Sequence, residues 1–140
     1  MLTIGKVAAL ADTTADTLRF YERERLLASS KAPNGYRQYG KDAVQRVRFI
    51  KHAQQCGFSL AEIRELLDMR ARRKACCNDI RSLTIEKKLQ VEHKIRALQT
   101  MSKALDGLIE ACQRDDQPLD ECPILRALDD EMVQNADAKR

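Results

Sequence analysis

Tryptophan is absent from this chain, and phenylalanine and tyrosine together supply only six of its 140 residues. The aromatic anchors of a β-sandwich core are therefore scarce, whereas hydrophobic residues at 44% of the total suffice to pack helices through Leu, Ile, Val and Ala. No stretch approaches 18 uninterrupted apolar residues, which excludes a membrane-spanning helix. The opening MLTIGKVAALADTT is too short and too polar for a signal peptide, so a cytoplasmic location is expected. Five cysteines, an odd number in a reducing compartment, argue against a disulfide framework.

What is present is charge, unevenly spread. Residues 1–74 hold 15 Lys and Arg against 8 Asp and Glu, a net +7, and the remaining residues carry a net −3. A basic N-terminal half suggests a nucleic-acid face, since phosphates are met mostly by Arg and Lys.

Two short amphipathic patterns open the chain. TIGKVAAL has Thr3 as a possible cap and Ile4, Val7, Ala8 and Leu10 apolar. After a break, Thr13 with Asp16 forms the capping-box spacing ahead of TADTLRFYERERLL, which buries Leu18 with Tyr21 or Phe20 and exposes Arg19 and Arg23. Two such helices form a helix-turn-helix candidate. Pro33-Asn34-Gly35 then separates two short extended segments, and Asn-Gly is a strong hairpin signal because both residues tolerate positive φ. The hairpin reads as a wing, with Lys31 on its outgoing strand and Tyr36, Arg37 and Tyr39 on its return. Two more helices follow. The first ends at Gly57, and the second starts at the capping box Ser59/Glu62 and buries Leu60, Ile63, Leu66 and Leu67.

After RARRKA the pattern changes. Between Cys76 and Cys112 there is no proline and one glycine, and from Val91 the apolar positions step 4, 3, 3, 4, 3 and 4 to Cys112. That is a narrow coiled-coil seam, which a lone helix cannot bury, so a second copy is the expected partner. The fold class is mainly α. A winged helix-turn-helix domain spans 1–69, a basic linker 70–75, a dimerisation helix 76–112, and a loop, short helix and tail 113–140.

Four cysteines lie at the two ends of the long helix. Cys56, beside Gly57, reads as a small buried hydrophobe. Cys76 and Cys77 open the helix, and Cys112 and Cys122 bracket the polar loop QRDDQPLDE. One continuous helix holds Cys77 and Cys112 roughly 50 Å apart within a chain. An antiparallel pair with its two-fold axis near Lys94 and Ile95 brings Cys77 of one copy beside Cys112 of the other, giving two equal sites per dimer. Cys77, Cys112 and Cys122 then offer three thiolates, a set for soft divalent ions. Asp115 or Asp116 could add an oxygen. Oxidation of the same thiols in a redox sensor is the alternative that these positions leave open.

Three segments, IGKVAALADTTADTLRFYERERLL, NGYRQYGKDAVQRVRFIKHAQQCGFSLAEIRELL and the cysteine at the helix start with C-x9-C-P-I-L at its end, resemble the MerR family of bacterial transcription regulators, in its divalent-metal-sensing branch. The resemblance spans about residues 3–128. It implies a homodimer joined by antiparallel helices, bound to double-stranded promoter DNA, that distorts the DNA on binding metal so that RNA polymerase can use the promoter. It assigns Arg19 and Tyr21 to recognition-helix contacts, and Tyr36, Arg37 and Lys31 to wing contacts. Cys77, Cys112 and Cys122 fall at metal-ligand positions for Zn, Cd or Pb, while copper(I) sensors use only the two loop thiols. The implied targets are metal-resistance or efflux genes, and no enzyme chemistry is expected. This chain departs from zinc sensors at Gln113 and Gln117, which remove ligands for a second zinc, and from the family at Arg25, where glycine is common.

Overall fold

The computed structural model describes residues 1–72, 75–113 and 116–130. They belong to two compact units, Met1–Lys88 and Leu89–Arg140. The first unit holds helices α1 (Ile4–Leu10), α2 (Ala15–Arg23), α3 (Ala43–Gln55) and α4 (Leu60–Ala71), with strands β1 (Leu2–Thr3), β2 (Ser30–Lys31) and β3 (Arg37–Tyr39). Helix α5 (Cys77–Ala111) runs from the first unit into the second, which adds a short 3-10 turn at Leu119–Glu121 and α6 (Pro123–Asp129).

The strands form an antiparallel sheet in the order β1-β3-β2, with Leu2 opposite Tyr39 and Lys31 opposite Arg37. The hairpin departs from the expected Asn-Gly turn. A β-turn closes from the Gly35 N–H to the Ala32 carbonyl at 2.9 Å, placing Pro33 and Asn34 at its centre. Only Gly35 takes positive φ, at 87°. Proline at the first central position fixes negative φ, so the left-handed residue moves one place on and the loop gains a residue.

Three helix ends in this unit are built alike. At each, a left-handed residue (Asp12, φ 54°; Arg25, φ 61°; Gly57, φ 91°) turns the chain. The next residue's N–H then reaches back to a carbonyl in the last turn: Thr13 to Ala8 at 2.9 Å, Leu26 to Tyr21 at 2.9 Å and Phe58 to Ala53 at 3.1 Å. This double-bonded cap satisfies carbonyls that the helix leaves open. The left-handed Asp12 also shifts the start of α2. The cap is Thr14, whose hydroxyl accepts the Thr17 N–H at 3.2 Å, and not the expected Thr13. Asp16 pairs with Arg19 instead, at 2.8 Å.

The core gathers Val7, Leu18, Leu26, Tyr39, Val47, Ile50 and Ile63, all fully buried. Helix α4 starts as expected: Ser59 accepts the Glu62 N–H at 3.2 Å and Glu62 accepts the Ser59 N–H at 2.8 Å. On α5, by contrast, Val91, Ile95, Leu98, Met101 and Leu105 are exposed, from 37% at Val91 to 62% at Leu98. Their own chain leaves the seam in solvent, as the 3–4 spacing anticipated; Leu108 is buried.

Two outcomes follow from these caps. Arg25 holds a conformation that costs a non-glycine residue about 1 kcal/mol. Arg25→Gly should therefore raise the unfolding free energy by about 0.5–1 kcal/mol in urea denaturation at fixed protein concentration. The Glu62 carboxyl, paired first with Lys87 and then with the Ser59 amide, is drawn down to about 2 from 4.5. Its stabilisation is complete above pH 4.5 and is lost as pH falls toward 2. Because the Glu62 side chain is 35% exposed and solvent screens the pair, Glu62→Gln should cost only about 0.5–1 kcal/mol at pH 7, and the gap to wild type should close across that acid window.

Candidate nucleic-acid interface and thiol site

Helix α2 presents Arg19 and Arg23 to solvent one turn apart, and Arg23 lies over the Phe20 ring at 5.8 Å. Beside it, the wing exposes Lys31, Tyr36 and Arg37, Tyr36 by 73%. One carboxylate fixes the wing to the helix. Glu22 of α2 accepts the Tyr39 hydroxyl at 2.9 Å and pairs with Arg37 at 3.2 Å. Burial and this carboxylate push the Tyr39 phenol up to about 12, so it stays a donor at every physiological pH. Tyr21 lies beneath the face. It is 2% exposed, its hydroxyl donates to Gln54 Oε1 at 2.8 Å, and burial raises its pKa.

Several basic residues point inward to helix ends. Arg48 donates to the Leu10 carbonyl at 2.8 Å, Lys51 to Ala11 at 3.1 Å and to Asp12, Arg46 to Leu26 at 2.6 Å, and Arg64 to Glu24. Cations at helix C-termini complement the dipole and the open carbonyls. Four of the fifteen positive charges in residues 1–74 are therefore committed to the fold. The outward set is Arg19, Arg23, Lys31 and Arg37 with Tyr36, a suitable surface for phosphate.

At the far end of α5, Cys112 follows the last helical residue and Cys122 precedes Pro123, the first residue of α6. The two thiols are neighbours, and Cys112 is one of the groups that lower the Cys122 thiol. The Leu125 amide, then the Ile124 amide and Cys112, draw the Cys122 thiol below its ordinary pKa, against the effect of burial. Amides at a helix start favour thiolate in this way. Among the described residues, no three His, Cys, Asp or Glu of one chain converge on a metal-sized position. Asp115 lies outside the described residues, and Asp116 is exposed.

Cys76 and Cys77 open α5, where Asp79 accepts the Cys76 N–H at 2.9 Å. Both line an open groove of about 540 Å³ with Phe49, Phe58, Met69 and Cys56. Cys56 is exposed, not buried as expected. The buried side of α3 runs Ala43, Val47, Ile50, and position 56 falls off that stripe.

This arrangement has known counterparts. Residues 2–70 match the MerR HTH family of regulatory proteins, and residues 44–108 match the MerR DNA-binding family. The transcriptional regulator ZntR of Escherichia coli K12 is 37% identical over 131 residues, covering 92% of this chain and 93% of ZntR. The chain belongs to the MerR family. It is a transcription regulator and not an enzyme. Among solved structures, the regulator PbrR691 from Ralstonia metallidurans CH34, determined in complex with lead(II), matches with a TM-score of 0.79 and 34% identity over 91% of this chain and 99% of that one. MerR from Bacillus megaterium MB1, in complex with mercury(II), matches with a TM-score of 0.72 and 32% identity over 93% of this chain and all of that one.

For this MerR-family chain, the resemblance assigned Arg19, Tyr21, Lys31, Tyr36 and Arg37 to DNA contact; four of them are exposed, whereas Tyr21 is buried at 2% exposure. Sequence reasoning missed Glu22 and Gln54, whose roles depend on contacts 17 and 33 residues away. Cys112 and Cys122 come together, while α5 separates both from Cys77 in the same chain. No helix among the described residues is long and apolar enough to cross a membrane.

The lowered Cys122 pKa predicts a pH-dependent reactivity. In metal-free protein, iodoacetamide should alkylate Cys122 with a half-maximal rate at lower pH in the folded than in the urea-unfolded chain, read by peptide mass spectrometry. Cys112→Ser, which replaces one of its donors, should move that midpoint.

Proposed function

We propose that the chain is a homodimeric, metal-responsive activator. Cys112 and Cys122 of one copy, with Cys77 of the other, bind a soft divalent ion such as Zn(II), Cd(II) or Pb(II), at two sites per dimer. The observation that carries this reading is the pair of neighbouring thiols, one drawn toward thiolate, at the end of a helix with an uncovered seam. The donors suit such an ion: sulfur ligands select soft metals, and two thiols leave a position for a third. The similarity to ZntR and to the lead- and mercury-bound structures supports it. When bound, the ion supplies a cross-link between copies.

In this reading residues 1–69 form the DNA-binding domain, 70–75 the linker, 76–112 the dimerisation helix and 113–140 the metal-binding loop, helix and tail. Arg19, Lys31, Tyr36 and Arg37 contact promoter DNA. Tyr21 acts from below, through its hydroxyl and Gln54. Metal favours the dimer geometry that distorts the promoter for RNA polymerase, a coupling that requires tighter metal binding to that state. The controlled genes serve resistance to or export of the metal, and the protein works in the cytoplasm.

In vitro transcription from the cognate promoter, with buffered free Zn(II), Cd(II), Pb(II), Hg(II) and Cu(I), tests the reading. A divalent ion should activate wild type, and Cys77→Ser should raise the concentration needed by at least about tenfold. Activation by Cu(I) alone that survives the substitution identifies a two-thiol copper sensor instead. Response to diamide without metal identifies a redox sensor.

A further inference from the structure

Lys87 is the one buried charged side chain among the described residues, at 9% exposure. It lies ten residues into α5, about 15 Å from Cys77 along the helix. Its ammonium meets Glu62 Oε1 at 2.8 Å, the same oxygen that accepts the Ser59 N–H at 2.8 Å, and it sits 5.8 Å from the centre of the Phe58 ring. One cation of α5 therefore touches both sides of the α3–α4 corner: Phe58, which completes the cap of α3, and the capping box that starts α4.

From that corner the contacts continue to the DNA face. The Gly57 N–H bonds the Gln54 carbonyl at 2.9 Å, and the Gln54 side chain accepts the Tyr21 hydroxyl of α2 at 2.8 Å. Nearer its start, α5 borders the open groove through Cys77, Ile80 and Thr84. The helix therefore faces open space along its first two turns and is held at its third by the ion pair.

We propose that the Lys87–Glu62 pair is the joint through which a shift of α5 reaches the α3–α4 corner and the DNA face, making Lys87 a positioning residue for metal-dependent activation. Stability alone does not account for the pair, in which the Lys87 side chain is 10% and the Glu62 side chain 35% exposed. Desolvation of the lysine offsets part of its Coulomb attraction. What it adds is direction. Both charges are held by further partners, so a displaced ammonium pulls on the helix start to which Glu62 is fixed, whereas apolar side chains in that place could slide. The inference rests on the metal-responsive reading above.

The test compares wild type, Lys87→Met and Lys87→Arg in buffered Cd(II), Zn(II) and Pb(II). It measures thermal stability, metal affinity without DNA, DNA affinity without metal, and the metal-dependent activation ratio. Lys87→Met should lose the modest stability of the ion pair, as Glu62→Gln does, and keep both affinities within about twofold of wild type, while its activation ratio falls at least about fivefold, the lower range of allosteric couplings. Lys87→Arg, which keeps the charge, should restore most of the response. Glu62→Gln, which keeps an acceptor for the Ser59 amide, should show the same loss of activation. Normal activation by a folded Lys87→Met or Glu62→Gln overturns the inference alone. Wild type unresponsive to all three ions overturns the metal reading and this inference with it.

Discussion

Carbonyls at helix C-termini must find donors, and in this protein the way they find them shapes the DNA-binding unit. Short helices have a high proportion of open carbonyls, and α1 and α2 contain 7 and 9 residues. Their ends are closed twice over, by left-handed caps at Asp12 and Arg25 and by Arg48, Lys51, Arg46 and Arg64 reaching in from α3 and α4. The longer helices thus grip the shorter ones by their ends as well as by their apolar sides. That fixes α2 in direction, so Arg19 and Arg23 can stay exposed on a helix too short to be stable alone.

The wing is held by polar contacts more than by its own ladder, since a hairpin with strands of 2 and 3 residues has little intrinsic stability. Glu22 supplies the attachment, buried enough to hold the Tyr39 hydroxyl and open enough to reach Arg37. Arg37 is thereby shared between a protein carboxylate and the solvent side, where phosphate would compete for it. Glu22 thus orients the Arg37 guanidinium before DNA arrives, as Asp16 does that of Arg19, which lowers the ordering entropy that binding must overcome.

Much of this was readable in the residue pattern, for reasons that differ element by element. The helices announced themselves by period and caps: Ser59 with Glu62 starts α4, and the proline-free stretch after Cys76 gave α5 nearly to the residue, Cys77–Ala111. Local signals that compete were read one place off. Thr13 and Thr14 are equivalent as letters, and the left-handed Asp12 chooses between them. Pro33 overrode Asn-Gly in the same way. Arg25 shows the converse, a glycine-favoured conformation kept by arginine because both flanking elements, Tyr21 and Leu26, are locked in the core. Long-range roles left no local trace. Nothing near Glu22, Gln54 or Lys87 in the sequence marks them as partners of Tyr39, Tyr21 and Glu62.

The seam of α5 and the positions of the thiols constrain one another. A parallel pair of helices would set Cys77 against Cys77 and both loop pairs together, giving one site of two thiols and another of four. It would also crowd two N-terminal halves of net charge +7 at one end. An antiparallel pair makes two equal sites of three thiols and separates the basic halves. It also sets each beside the partner's C-terminal portion, whose half of the chain carries −3. Only in that arrangement does a thiol pair at one end of α5 acquire a third ligand lying ten residues from Lys87, the anchor of the helix to its DNA-binding unit. Sensing and anchoring then share three turns of one helix. In the proposed dimer, the ion drawn to Cys112 and Cys122 of one copy acts on the DNA face of the other.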